Sequence, residues 1–176
     1  MTPPGKTGHP AGRRASISTA DIFDAHPDAV RVCDAQFRSF GRHDSFAGPC
    51  STVSTFEDHR PVLQAVESDG LGRVLVVDGR GSLRVGLMGD RLAGIAARNG
   101  WVGVVINGAI RDSAGIDSLD IGVKALGTTA RRGAVPARAT RDEPVSFGAV
   151  TFSPGDWVYA DRDCVIATGV RLAEDK

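Results

Sequence analysis

Gly89-Asp90 and, twenty residues later, Arg111-Asp112 are the positions of this chain best suited to chemistry. Gly-Asp opens a segment, Asp90 to Asn99, in which Leu92, Ile95 and Ala96 recur at helical spacing. Arg-Asp follows the apolar run Val102 to Ile106, which predicts a strand. The first N–H groups of a helix lack intrahelical partners and carry the positive end of its dipole, so they can hold a carboxylate without any side chain. Gly89 removes the Cβ that would obstruct that approach. Arg111 offers a two-pronged guanidinium to a carboxylate or a developing enolate oxygen. Asp112 is a hard oxygen ligand suited to Mg²⁺ or Mn²⁺, which keeps several waters and takes one or two protein carboxylates. Asp90 could orient such a water. The same residues also suit a purely structural use, with Asp90 stabilising the first turn of a helix and Arg111–Asp112 forming a surface ion pair. Spacing alone leaves both readings open.

Little else in the chain competes. Of the 21 basic residues only Lys6, Lys124 and Lys176 are lysine, and two of these lie near the termini. Schiff-base chemistry would therefore rest on Lys124. The four histidines (His9, His26, His43 and His59) all fall in the first third and form no HxxxH or HxxE pair, which argues against a His-ligated zinc site. The stretch DGRGSLRVG resembles a nucleotide loop, but Gly79 and Gly81 are followed by Val85-Gly86 and a helix only near Gly89. The dinucleotide fingerprint therefore fails, a plain turn is the better reading, and the same misfit argues against a Rossmann-type methyltransferase. Oxygen-ligated metal and enolate chemistry is what the composition still allows.

These residues need a frame. A chain of 176 residues, 41% apolar and 24% charged, suits one globular domain. Its formal net charge of zero gives no basic footprint, so direct nucleic-acid binding is not expected. Three widely spaced cysteines (Cys33, Cys50 and Cys164) without a CxxC suit buried positions in a reducing, cytoplasmic setting. No apolar run approaches the roughly 20 residues that span a bilayer, so no membrane role is expected. Residues 1–16 (MTPPGKTGHPAGRRAS) lack the apolar core of a secretory signal and read as a flexible tail. The ordered domain is expected over 17–172, with 173–176 a short C-terminal tail.

Within it, Ser18-Thr19 should cap a helix over Ala20 to Ala25, stopped by Pro27. Val30 to Cys33 reads as a brief strand, and Phe46 to Phe56 as a strand bent at Gly48-Pro49. Asp58 should cap a helix running to about Glu67. Arg73 to Val77 and Trp101 to Ile106 are short, β-branched and continuously apolar, which predicts strands buried on both faces. Asn107-Gly108 reads as loop, Ser113 to Leu119 as a short helix, Val123 to Leu126 as a third strand, and the remainder as strand-rich. The pattern is that of a single α/β domain with mixed sheets.

Through FRSFGRHDSFAGPCSTVSTFED, RVLVVDGRGSLRVGLMGD, GWVGVVINGAIRD, LDIGVKALGT and FGAVTFSPGDWVYAD, the chain resembles the regulator of ribonuclease E activity A (RraA) family. That family is also known as class II 4-hydroxy-4-methyl-2-oxoglutarate aldolases. The resemblance runs from about Ser18 to Val170, and the aldolase members carry the same G-D-x20-R-D signature. It implies a swivelling β/β/α-type fold and a homotrimer with its active site in the cleft between subunits. Gly89, Asp90, Arg91, Leu92 and Arg111 would bind the pyruvate moiety, and Asp112 the divalent metal, Mg²⁺ or Mn²⁺. The implied reactions are cleavage of 4-hydroxy-4-methyl-2-oxoglutarate to two pyruvates and decarboxylation of oxaloacetate. Both leave a metal-stabilised pyruvate enolate, with Arg111 adding charge where it develops. The base for the C4 hydroxyl is open between a water oriented by Asp90 and Glu57 or Asp58 of a neighbouring subunit. The family's other role, inhibition of a ribonuclease E-type enzyme, does not require the acidic residues, all of which this chain keeps. A third family label, demethylmenaquinone methyltransferase, has no supporting loop here.

Overall fold

The run VLVVD at Val74–Asp78 (β4) is buried at four successive residues whose side chains enter opposite cores. Such a strand needs cover on both faces. The computed structural model, which describes residues 17–133 and 135–172, supplies it. Leu75 and Val77 join Val104 and Ile106 of β5 (Gly103–Ile110) on one face. That face packs on α2 (Arg60–Glu67) and α3 (Asp90–Arg98) through Val62, Val66, Leu92 and Ala96. Val74 and Val76 join Val105 on the other face, against Phe46, Phe152 and Val158.

Parallel neighbours run in the order β3 (Phe46–Ser54), β4, β5, β6 (Gly122–Thr128). β3 is shared between two sheet regions. Its second half, Cys50 to Ser54, pairs in parallel with β4, and Phe46 to Pro49 pairs antiparallel with β10 (Trp157–Ala160). From β10 the sheet continues to β11 (Val165–Thr168) and β1 (Arg31–Val32). β2 (Arg38–Phe40) closes the far edge against β6, and β7 (Thr140–Arg141) pairs the end of β3. β8 (Val145–Phe147) and β9 (Val150–Phe152) form a separate hairpin. The result is the expected mixed α/β domain with mixed sheets.

Local chemistry accounts for most boundaries. α1 (Thr19–Ala25) begins where the Ser18 hydroxyl accepts the Asp21 N–H. The helix expected from Asp58 starts at Arg60, with Pro61 in its first turn. Asp58 is drawn instead to Arg60, accepting its N–H at 3.1 Å and its guanidinium at 2.8 Å. β5 runs on through Asn107-Gly108, which composition marks as loop, because a register shift against β6 between Ile106 and Ala109 absorbs them. Of the stretch to Leu119 only α4 (Ser113–Ile116) is helical. β2 had no sequence signal, being three residues at an edge. The segments read as tails, 1–16 and 173–176, lie outside the described residues. Among the described residues no helix is long and apolar enough to cross a membrane.

Lys124 is structural. Buried in β6, it donates through Nζ to Ser39 Oγ and to the carbonyls of Asp44 and Asp161. Burial pushes its pKa below the usual 10.5 against the opposing pull of Asp161 and Asp44. With its donors spent on three separate segments, it is not available as a Schiff-base amine.

Gly103 and Gly122 face each other across β5 and β6, and a Cβ on either would stand 2.2 Å from the Phe46 ring. Phe46, 5% exposed, fills that slot. Phe46→Ala should cost about 3–5 kcal/mol in denaturant unfolding; a loss below about 1 kcal/mol would show that the slot is not filled this way. A second expectation concerns acid. The Arg60 guanidinium holds the Asp58 carboxyl below its usual 3.8. For Asp161, burial raises the value, but N–H donors from Thr19, Cys164 and Asp163 outweigh it and the net shift is downward. Their stabilisation is complete above 3.8 and lost as pH falls through the lower folded values. The melting temperature should therefore drop below about pH 4, and less steeply in Asp161→Asn. A variant slope as steep as the parent's would discount Asp161.

Candidate active site

Three glycines bring the start of α3 against the end of β5. Leu87 N–H donates to the Ala109 carbonyl and Arg111 N–H to the Met88 carbonyl, both at 2.9 Å, so the loop before α3 runs beside the strand end. A Cβ on Gly86 would stand 3.1 Å from Arg111 N, and one on Gly89 2.8 Å from Asp112 Oδ2. A Cβ on Gly115 of α4 would stand 2.7 Å from Asp90 Oδ2. The twenty-residue spacing thus has a physical meaning. One helix and one strand, α3 and β5, carry the chain away and back to the carboxyl end of the parallel strands, where ligands bind in open α/β sheets.

Arg111 Nε donates to Asp112 Oδ2 at 3.1 Å, with side chains 36% and 45% exposed. Asp112 is left-handed (φ +55°) at the N-cap of α4 yet makes no cap bond. Among the described residues, Arg111 is the only group bonded to its carboxylate. Asp90 accepts the Arg91 N–H at 2.7 Å. Gly89, Asp90, Arg91, Leu92, Arg111 and Asp112 all line one cavity of about 120 Å³, so the structure brings every sequence-predicted site residue together. Among the described residues no cluster of three or more His, Cys, Asp or Glu could cage a metal. The donor set is a single open carboxylate, which fits Mg²⁺ or Mn²⁺ bound largely by waters and ligand and does not fit structural zinc.

Sequence reasoning missed two residues of the same cavity, His59 and Arg132. His59 is 7% exposed; its Nδ1–H donates to the Gly133 carbonyl, and its Nε2 accepts from Arg132 Nη2 at 3.2 Å. The contact spans 73 residues, so no local signal could have announced it. The adjacent carboxylates are engaged elsewhere in the chain. Glu57 accepts from Ser82 Oγ at 2.8 Å and pairs with Arg84 at 3.4 Å, and Asp58 pairs with Arg60. Neither lines the cavity.

The DGRG stretch is the expected turn. Gly79 and Gly81 donate their N–H groups to the Asn107 carbonyl, so they do not cradle an anion. A larger cavity, about 720 Å³, lies beside Arg42 to Ala47, Gly100 to Val102 and Trp157, and includes none of the signature residues.

Residues 19–167 match the RraA-like family, described as Aldolase/RraA. A protein of Alkalilimnicola ehrlichii, provisionally named 4-hydroxy-4-methyl-2-oxoglutarate aldolase, is 44% identical over 90% of this chain and 99% of its own length. Two solved structures share the fold. One, titled an S-adenosylmethionine:2-dimethylmenaquinone methyltransferase from Geobacillus kaustophilus, has a TM-score of 0.87 at 45% identity, covering 91% of this chain and all of that one. The RNA-processing inhibitor RraA from Thermus thermophilus has a TM-score of 0.85 at 35% identity, covering 90% and 96%. The chain belongs to the RraA-like family.

The interlock makes a testable demand. Gly115→Ala must displace the Asp90 carboxylate and should cost about 1–3 kcal/mol in denaturant unfolding. A change within about 0.5 kcal/mol would mean that α4 yields freely.

Proposed function

We propose that this RraA-like protein is a divalent-metal-dependent class II aldolase. It cleaves 4-hydroxy-4-methyl-2-oxoglutarate to two pyruvates and decarboxylates oxaloacetate. The observation that carries this reading is the meeting of the Arg111 guanidinium, the Asp112 carboxylate and the start of α3 at one cavity. The aldolase name of a 44% identical relative supports it.

In this reading the substrate's 2-oxo acid carboxylate lies at the N–H groups that open α3, where the helix dipole favours negative charge. Arg111 meets the oxygen on which charge develops as the C3–C4 bond breaks, so its contribution is larger in the transition state than in the ground state. Asp112 would hold the cation, which when bound supplies Lewis-acid polarisation of the 2-oxo acid. In aldol cleavage the C3–C4 electron pair passes to the pyruvate half that keeps C3. The C4 hydroxyl loses its proton to a water oriented by Asp90 as its oxygen becomes the carbonyl of the second pyruvate. C3 then takes up a proton. Decarboxylation follows the same electron flow with carbon dioxide as the leaving group, and it needs no base. The working form would be a cytoplasmic homotrimer, which is what the family resemblance implies.

A second reading is inhibition of a ribonuclease E-type enzyme, favoured by the 35% identical relative named as an RNA-processing inhibitor. A pull-down with such a ribonuclease separates it; no capture at micromolar concentrations would count against it. For the enzyme, pyruvate should form from oxaloacetate with Mg²⁺ and stop with EDTA. Arg111→Ala and Asp112→Ala should each lower kcat by about 10²-fold or more. Turnover no faster than the free metal ion's would sink the aldolase reading.

A further inference from the structure

The cavity is richer in cations than a 2-oxo monocarboxylate requires. Arg91, Arg111 and Arg132 line it with only Asp90 and Asp112 opposing them. Among the described residues Arg111 is paired with a carboxylate and Arg132 is not. Arg132 is not a loose surface side chain either. Its backbone bridges to Gly86, the glycine packed on Arg111, and its guanidinium is bonded to the buried ring of His59.

His59 can do little else. It stands at the N-cap of α2 but makes no cap bond. Its ring is turned to the 132–133 segment, donating from Nδ1 to the Gly133 carbonyl and presenting the Nε2 lone pair to Arg132. A guanidinium can only donate and a carbonyl can only accept, so the ring is held between the two with its Nε2 facing Arg132. Gly133 makes the contact possible, because a Cβ there would lie 2.3 Å from the Glu57 carbonyl. One guanidinium N–H is thus spent on His59, and among the described residues the rest of the fork is left for a planar anion.

We propose that Arg132, oriented by His59, binds the second carboxylate of the substrate and makes the site selective for 2-oxo dicarboxylates over 2-oxo monocarboxylates. Arg132 is the binding residue; His59 is a positioning residue that acts through it. The assignment rests on the aldolase reading for where the 2-oxo acid end sits. It leaves Arg111 and α3 to hold that end, and sets Arg132 at the other.

The test is binding rather than turnover. 2-Oxoglutarate is the aldol substrate without its 4-hydroxyl and 4-methyl groups, so it keeps both carboxylates but cannot undergo aldol cleavage; pyruvate carries only the 2-oxo acid end. Calorimetric titrations with Mg²⁺ present should show the parent binding 2-oxoglutarate more tightly than pyruvate. Arg132→Gln should weaken 2-oxoglutarate by about tenfold or more while pyruvate changes less than about twofold. His59→Gln should give the same selective loss in smaller measure, and Arg132→Lys should restore part of it. Arg132 is exposed, so its variants report on binding and not on folding. Equal weakening of both ligands, or no change in either, overturns the proposal. If the selective loss appears while oxaloacetate is not turned over, the aldolase reading fails and this assignment stands. If oxaloacetate is turned over and Arg132→Gln binds both ligands as the parent does, the reverse holds.

Discussion

The candidate site depends on an approach of backbone to side chain that a single methyl group would prevent. Gly86 lies against Arg111, Gly89 against the Asp112 carboxylate and Gly115 against Asp90. Each glycine removes the atom that would hold two segments apart, so the loop before α3, the end of β5 and α4 can share one small cavity. The parallel sheet supplies the rigid support. β4 and β5 are buried on both faces, and the Phe46 ring seated over Gly103 and Gly122 ties β3 to β5 and β6.

The magnitudes favour a chemical use of Arg111–Asp112 over a structural one. A half-exposed ion pair contributes about 0–1 kcal/mol to stability. A left-handed non-glycine residue costs about 1–3 kcal/mol, at the low end for Asp. The pair therefore at most balances the backbone strain at Asp112, whose side chain does not cap α4 either. Asp161 offers the contrast, since it accepts N–H bonds from Thr19, Asp163 and Cys164 and so ties the start of α1 to the turn before β11.

Much of this was legible in the sequence, for reasons that can be named. The continuous apolar runs of β4 and β5 announced strands covered on both sides, and Ser18 and the 89–90 dipeptide marked helix starts. The signature residues came together because a strand–helix–strand unit returns the chain to the same sheet end. What escaped was long-range or compensated. His59 and Arg132 meet across 73 residues, β2 is a three-residue edge, and β5 passes through Asn107-Gly108 by a register shift. Asp58 stands one residue before the cap position, which His59 occupies, and its carboxylate takes both the first helical N–H and the guanidinium of Arg60. Apart from the Asp58–Arg60 contact, none of these is a property of a local window.

The aldolase reading requires this site to be complementary to the enolate of a 2-oxo acid. Oxalate, a planar dianion that resembles pyruvate enolate, tests it most directly by calorimetric titration with Mg²⁺ present. Oxalate should bind about 10²-fold or more tightly than pyruvate, as expected of a mimic of the charged reaction state. This advantage should disappear in Arg111→Gln and Asp112→Asn. Oxalate binding no tighter than pyruvate, or an advantage untouched by either substitution, would contradict it.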